Sequence, residues 1–341
     1  MWDLDGALLV QCTVPEAAAA APLADGLVLT GPRAVASSLE LRASGFTRPV
    51  LCDAAAYAGT RRKPARAPFD NRWLSWQLSR GYALTDSGYV DKLDIRGLNS
   101  ILHRTMRLGP GAIALLPLHA DWLRMPSDRE ILLSSVAFAE VPVAVAIEHV
   151  ADPLGVRAVV SGLLELLALD VPVVLLRSDV SALGALCSGA VAAAVGTSTS
   201  LRHIYPVVTG GGFRAARVAA FSPHLLSYVS VDKLASAVQL TPDLSHLWEC
   251  TCTTCNGRPL DWLATQGSNV PAFRHSLEHL RLLRDDLFTV DAPARPLAWF
   301  ERCNAALALH YEIRTELPDW RTPAFLNAWR YASTPSVSSR S

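Results

Sequence analysis

Three of the chain's seven cysteines, Cys250, Cys252 and Cys255, fall within six residues in the run Trp248-Glu-Cys-Thr-Cys-Thr-Thr-Cys-Asn-Gly257. C-x-C-x-x-C spacing puts three soft thiolates on a short loop, and a tetrahedral zinc then needs one further ligand from elsewhere in the chain. Two histidines are placed to supply it. His275 and His279 lie in Pro271-Ala-Phe-Arg-His-Ser-Leu-Glu-His-Leu, which reads as a helix with Asn269 as N-cap and Pro271 in its first turn. Four protein ligands leave no position for water, so such an ion is structural rather than catalytic. The competing reading is a loop of free thiols. A disulfide framework fits less well, because the cluster is odd in number and Cys12, Cys52, Cys187 and Cys303 are scattered.

A second set of polar residues directly follows apolar runs. Asp53 follows Pro-Val-Leu-Cys; His119 and Asp121 follow Ala-Leu-Leu-Pro-Leu; Glu148 and His149 follow Val-Ala-Val-Ala-Ile; Arg177 and Asp179 follow Val-Val-Leu-Leu. Asp53, Asp121, Glu148 and Asp179 are the candidate catalytic carboxylates, with ion pairing to a neighbouring arginine as the alternative role for each. The stretch Gly196-Thr-Ser-Thr-Ser-Leu-Arg-His203 places a glycine, four hydroxyls, Arg202 and His203 just past another apolar run. Gly196, Ser198, Arg202 and His203 thereby form a candidate phosphate or ribose contact, and a plain helix-capping loop is its rival. The dense basic segment Thr60-Arg-Arg-Lys-Pro-Ala-Arg66, with Arg72, Trp73 and Trp76 nearby, makes Arg61 and Arg62 candidates for a nucleic-acid backbone. Its alternative is a solvated loop. Asp86-Ser-Gly88 reads as turn chemistry.

The elements that must position these residues are short and apolar. Runs recur at 7–14, 26–30, 49–52, 112–118, 141–147, 171–176, 190–195 and, less clearly, 218–231. Most lack polar alternation, as parallel strands covered on both faces do. Helix-like segments alternate with them, at 32–44, 99–108, 127–138, 154–169 and 182–188. Eight such units predict an α/β fold, a (β/α)8 barrel over residues 1–240, with a doubly wound open sheet as the rival. In a barrel, chemistry sits at the C-terminal ends of the strands, where the candidate carboxylates fall. Residues 241–332 then form a zinc-binding helical appendage, and the serine-rich 333–341 is expected to be a disordered tail.

With 341 residues, 50% of them hydrophobic, the chain can bury a large core and is not a disordered polyelectrolyte. Lysine plus arginine and aspartate plus glutamate each total 31, so any contact with a polyanion must be a local patch. The N-terminus lacks the basic region of a signal peptide, and the most apolar stretches are interrupted by Glu165, Asp170 and Pro172. A cytoplasmic protein without a membrane span is expected, in a compartment where thiols stay reduced for zinc.

The order of parts, a barrel followed by Cys250-x-Cys252-x-x-Cys255 and then a histidine opening a helix, resembles the tRNA-guanine transglycosylase superfamily. The resemblance selects His275 as the fourth ligand, since His275-Ser276-Leu277 is closer to the family's His-Asn-Leu. It implies exchange of a guanine base in RNA or DNA at an N-glycosidic bond, with one aspartate attacking the ribose and another handling protons at the base. Asp53 is similar in position to the proton-handling aspartate of the family's Asp-Ser-Gly-Gly-Phe motif, without the Ser-Gly-Gly. The nucleophilic aspartate of the last strand has no counterpart in Val218-Ala-Ala-Phe-Ser-Pro-His-Leu-Leu-Ser-Tyr228. Two other readings follow. One is a non-catalytic zinc barrel that binds nucleic acid or pairs, as homodimer or heterodimer, with an active paralogue. The other is a barrel enzyme for a phosphorylated small ligand.

Overall fold

Strands that are apolar at every position need cover on both faces, and a parallel sheet wrapped in helices provides it. The computed structural model describes residues 4–207 and 218–332. These fall into two compact units, one within Met1–Pro153 and Ala158–Gly212, the other within Leu154–Arg157 and Phe213–Ser341.

The first unit is a nearly closed (β/α)8 barrel. Its strands are β1 (Ala7–Thr13), β2 (Gly26–Thr30), β3 (Val50–Asp53), β4 (Ala83–Leu84), β5 (Ala112–His119), β6 (Val143–Glu148), β7 (Val173–Ser178) and β8 (Ala192–Gly196). All pair in parallel in the order β3-β2-β1-β8-β7-β6-β5-β4, and the two end strands, β3 and β4, lie against each other. Between the strands run α1 (Ala17–Ala20), α2 (Ala34–Ala43), α3 (Asn71–Leu78), α4 (Ile95–Met106), α5 (Asp121–Arg124), α6 (Pro126–Ala139), α7 (Arg157–Leu167) and α8 (Ser181–Cys187). α4 typifies how the sequence makes them. Asp94 caps its first turn by accepting from the Gly97 amide at 2.9 Å, and Leu98, Ile101, Leu102 and Thr105 form its buried stripe.

The interior of the barrel is packed rather than hollow. Leu9, Val28, Leu51, Leu84, Ile113, Leu115, Val174 and Leu176 fill it against Ala144, Ala146, Ala192 and Ala194, with large side chains facing small ones. Tyr57, Tyr89 and Ile204 belong to the same cluster.

The strand count agrees with the sequence expectation, but two identities differ. The run at 218–231 is not the eighth barrel strand. It is an antiparallel hairpin of the second unit, β9 (Ala219–Ser222) and β10 (Ser227–Ser230), in register from Ser227↔Ser222 to Ser230↔Ala219. The missing barrel strand is β4, which has only two regular residues. After Thr85, whose amide donates to the Ile113 carbonyl at 3.1 Å, the chain bulges through 86–88 and returns at Val90, whose amide donates to the Pro117 carbonyl at 2.9 Å. A strand broken in this way offers no continuous apolar run to read.

A second irregularity lies in β7, where register shifts between Leu175 and Ser178 and Arg177 takes a φ of 48°. Ile204 then takes the place beside β6, donating to the Ile147 carbonyl and accepting from the His149 amide, both at 3.0 Å.

The second unit contains the β9–β10 hairpin, α9 (Val231–Leu240), α10 (Val270–Leu287), α11 (Arg295–Glu316) and α12 (Ala324–Ala332). It thus begins ahead of the boundary expected at residue 240. Its core joins Leu225, Leu234, Leu247, Trp248, Leu260 and Ile313 to the three clustered cysteines. The expected tail at 333–341 lies outside the described residues. Among the described residues, no helix is long and apolar enough to cross a membrane.

The bulge in β4 rests on Gly88. A Cβ there would lie 2.2 Å from the Pro64 carbonyl oxygen and 2.5 Å from that of Lys63, backbone atoms that cannot step aside. Gly88→Ala is therefore expected to destabilise the barrel by about 2 kcal/mol, the scale of an overpacked site, read as a lower thermal midpoint. An unchanged midpoint would refute that reading.

Candidate functional sites: the barrel mouth and the cysteine cluster

The strand-end residues come together at the C-terminal mouth of the barrel, and most of them are spent on one another. Asp53, at the end of β3, is fully buried. Its carboxylate accepts from Gln11 Nε2 at 2.9 Å, from the Tyr57 hydroxyl at 2.6 Å and from the Ala55 amide at 2.8 Å, with the Arg177 guanidinium at 3.7 Å. Arg177 in turn donates from Nε to the Tyr57 oxygen at 2.6 Å and from Nη1 to the Ser200 carbonyl at 2.9 Å, while its amide donates to Gln11 Oε1 at 2.8 Å. Burial works against the charge of this guanidinium, but Tyr57 and Asp53 outweigh it and hold the pKa above its ordinary value. Burial likewise pushes the Tyr57 hydroxyl well up.

Glu148, at the end of β6, sits in a second group of the same composition. Arg62 reaches it at 2.5 Å, the Tyr89 hydroxyl donates to it, and the Arg62 guanidinium lies 3.7 Å from the Tyr89 ring centroid. Two carboxylate–tyrosine–arginine groups thus stand at the strand ends, Asp53·Tyr57·Arg177 and Glu148·Tyr89·Arg62.

The remaining candidates are also occupied. Asp121 is paired with Lys92 at 3.1 Å and Arg124 at 2.6 Å. Burial raises its pKa, but Lys92, His119 and Arg124 outweigh that and keep it below the ordinary value. His119 accepts the Asp121 amide on Nδ1 at 3.0 Å, and burial lowers its pKa. Asp179 accepts the Ser181 amide at 3.2 Å at the start of α8, and burial raises its pKa.

The loop after β8 folds on itself. Arg202 Nε donates to the Gly196 carbonyl at 3.2 Å, Ser198 and Ser200 share a hydroxyl contact at 3.0 Å, and the Leu201 and Arg202 amides donate back to Ser198 and Thr199. Gly196 is needed here, since a Cβ would lie 2.3 Å from the Leu201 carbonyl oxygen. His203 is 6% exposed, lies against the Tyr205 ring at a tilt of 43° with centroids 4.0 Å apart, and has no hydrogen-bond partner for Nε2 among the described residues. Of the basic segment, Arg62 turns into the mouth, whereas Arg61 and Lys63 are exposed.

Several members of the mouth are not apparent from sequence alone. Gln11 was signalled only as a lone amide inside an apolar strand. Tyr57 and Tyr89 carried no motif. Asp86 follows β4, the strand that periodicity misses; it is buried and accepts the Asp70 amide on both oxygens, at 3.0 and 3.1 Å. That contact ties the N-cap of α3 to the end of β4, sixteen residues on.

The cysteine cluster is a separate site within the second unit. The loop returns through the Gly257 amide, which donates to the Cys250 carbonyl at 2.9 Å, with Asn256 and Gly257 at φ 53° and 80°. α10 presents His275 and His279, one turn apart, to it. His275 Nε2 donates to the Phe221 carbonyl at 2.7 Å, which fixes the tautomer and turns the Nδ1 lone pair toward sulfur. Nδ1 then lies 3.5 Å from Cys250 Sγ, 3.5 Å from Cys252 Sγ and 3.3 Å from Cys255 Sγ. His279 Nε2 lies 3.0 Å from Cys250 Sγ. The donor atoms of Cys250, Cys252, His275 and His279 are all within 4.8 Å of one another, so this cluster can hold a metal ion. Hydrogen bonding to Cys250 draws Cys255 toward thiolate while Cys250 is raised. A metal would take the place of those protons.

No protein-family model matches the chain, and no curated protein matches it significantly.

Two expectations follow from the mouth. Asp53→Ala leaves the Arg177 guanidinium buried without its carboxylate and should destabilise the protein by about 3–5 kcal/mol. Adding Arg177→Met should give less than the sum of the single changes, and strict additivity in denaturant unfolding would refute the pairing. His203 has its pKa pushed down to about 4, from 6.5, by burial and by the nearby His149 and Arg177. Its neutral form thus contributes stability above pH 6.5 that is lost as pH falls toward 4, because the unfolded chain takes the proton first. His203→Gln should make that acid loss shallower by on the order of 2 kcal/mol after solvent screening, and an unaltered pH profile would count against it.

Proposed function

We propose that the chain is a divergent barrel of the tRNA-guanine transglycosylase type that has kept a structural zinc and a nucleic-acid surface but not base exchange. The observation that carries this reading is the saturation of three strand-end carboxylates. Asp53 and Glu148 are each taken by a tyrosine and an arginine, and Asp121 by Lys92 and Arg124. A nucleophile needs an unshielded oxygen facing the ribose, and none of these has one. The last barrel strand, β8, reads Ala192-Ala-Ala-Val-Gly196, so the position of the family's nucleophile holds no carboxylate there either.

Zinc is supported by the donor set and its spacing. With bonds of about 2.3 Å to sulfur and about 2.0 Å to nitrogen at tetrahedral angles, sulfur and nitrogen ligands lie about 3.5 Å apart. The distances from His275 Nδ1 to the three sulfurs are 3.3–3.5 Å. Cys250, Cys252, Cys255 and His275 would hold the ion and cross-link a loop-rich segment to α10.

One observation favours the catalytic alternative. Asp86-Ser87-Gly88-Tyr89 follows a barrel strand and resembles the family's Asp-Ser-Gly-Gly-Phe motif more fully than Asp53-Ala-Ala does. In that reading Asp86 is the proton-handling residue, and the nucleophile comes from a carboxylate released by a rearranged mouth.

The test has two arms. Incubation with labelled guanine and RNA or DNA is expected to give no incorporation, while the protein still binds the nucleic acid; incorporation abolished by Asp86→Asn would replace this proposal with the catalytic one. Binding should rest on the exposed cations beside the mouth, so Arg61→Ala with Lys63→Ala should flatten its salt dependence by up to about two units of slope. No measurable binding to either nucleic acid would remove the surface from the proposal.

A further inference from the structure

The metal cluster has one donor more than a tetrahedral ion uses. Cys250, Cys252 and His275 belong to two different sets of four. Cys255 completes one, its sulfur 3.3 Å from His275 Nδ1. His279 completes the other, its Nε2 3.0 Å from Cys250 Sγ and within 4.8 Å of every other donor in that set. Both histidines project from the same face of α10, with ring centroids 4.6 Å apart, so neither needs the helix to move.

The surroundings of the two fourth ligands differ. Cys255 is fully buried in the core of the unit. His279 lines a cavity of about 300 Å³ together with His224, Leu226, Asp286 and Arg302. One candidate fourth ligand is thus sealed in, and the other stands between the remaining donors and a chamber large enough for water or a small chelator.

We infer that Cys255 and His279 are interchangeable fourth ligands, so that the site holds its ion as Cys3His or as Cys2His2 and passes between the two by a ligand swap. The swap would exchange one metal–sulfur bond for one metal–nitrogen bond, the released Cys255 thiolate would take up a proton from solvent, and the ion's oxidation state would not change. The open side of the site then lies at His279, where the ion would enter and leave. This inference rests on the reading of the cluster as a zinc site.

Zinc content of the purified full chain, with competition by a chromophoric chelator, tests it. Wild type and His279→Ala should each hold about one zinc. Cys255→Ser should also hold about one, with affinity lowered by roughly 10- to 100-fold, whereas Cys255→Ser with His279→Ala should hold less than about a tenth. Cys255→Ala guards against a folding defect peculiar to serine and should rank with Cys255→Ser. Cobalt absorption on the same chains gives a second readout: Cys255→Ser should keep bound cobalt with a charge-transfer band weakened by one sulfur. The inference is overturned if Cys255→Ser and Cys255→Ala are as empty as the shared-ligand variant Cys252→Ser, or if removing His279 from them changes neither metal content nor spectrum. A wild-type chain that binds no zinc would instead overturn the zinc reading beneath it.

Discussion

A guanidinium buried in a barrel must be neutralised where it stands, and Arg177 sets that demand for the whole mouth. Its position at φ 48° on an irregular β7 sends the side chain inward to Tyr57 and Asp53 and leaves its amide to Gln11. Residues from β1, β3 and β7, far apart in the chain, are tied into one hydrogen-bonded unit in a low-dielectric interior, where each bond is strong and each missing partner is expensive. The same departure of β7 from regular geometry vacates the edge of β6 that Ile204 fills. One charged side chain thus shapes the strand ladder, the loop after β8 and the fate of the carboxylate nearest to it.

That arrangement explains why strand-end carboxylates are a poor guide to chemistry in this chain. Barrels place polar residues at the C-terminal ends of strands, and such residues serve catalysis only when some part of them faces a substrate. Asp53 and Glu148 instead face a tyrosine and an arginine each, in two groups of like composition. The rings of Tyr57 and Tyr89 continue the apolar filling of the barrel upward to these groups.

The sequence made some of this visible and hid the rest for definite reasons. The cysteine cluster was legible because its cysteines are neighbours in the chain and the histidines share a helical face. The orientation of His275 depends on Phe221, more than fifty residues away, whose carbonyl holds the far side of its ring, and no local pattern announces that contact. The barrel was legible from seven apolar runs, but β4 was not, because two paired residues followed by a bulge leave no period to detect. The hairpin at 219–230 imitated a barrel strand for the opposite reason, being apolar in composition while packed in a different core. The pairings Arg62–Glu148 and Arg177–Asp53 join positions separated by 86 and 124 residues, and no local pattern announces them.

The brevity of β4 also bears on how the barrel moves. Most neighbouring strands are laced by runs of paired residues, but β4 pairs with β5 at only two, and on its β3 side the Tyr89 amide donates to the Lys63 carbonyl at 2.8 Å. A ring with one lightly stitched seam has a preferred place to breathe. Local opening costs least where backbone bonds are fewest, so α3 and β4 form the segment whose amides would exchange with solvent ahead of the rest, without the barrel as a whole coming apart.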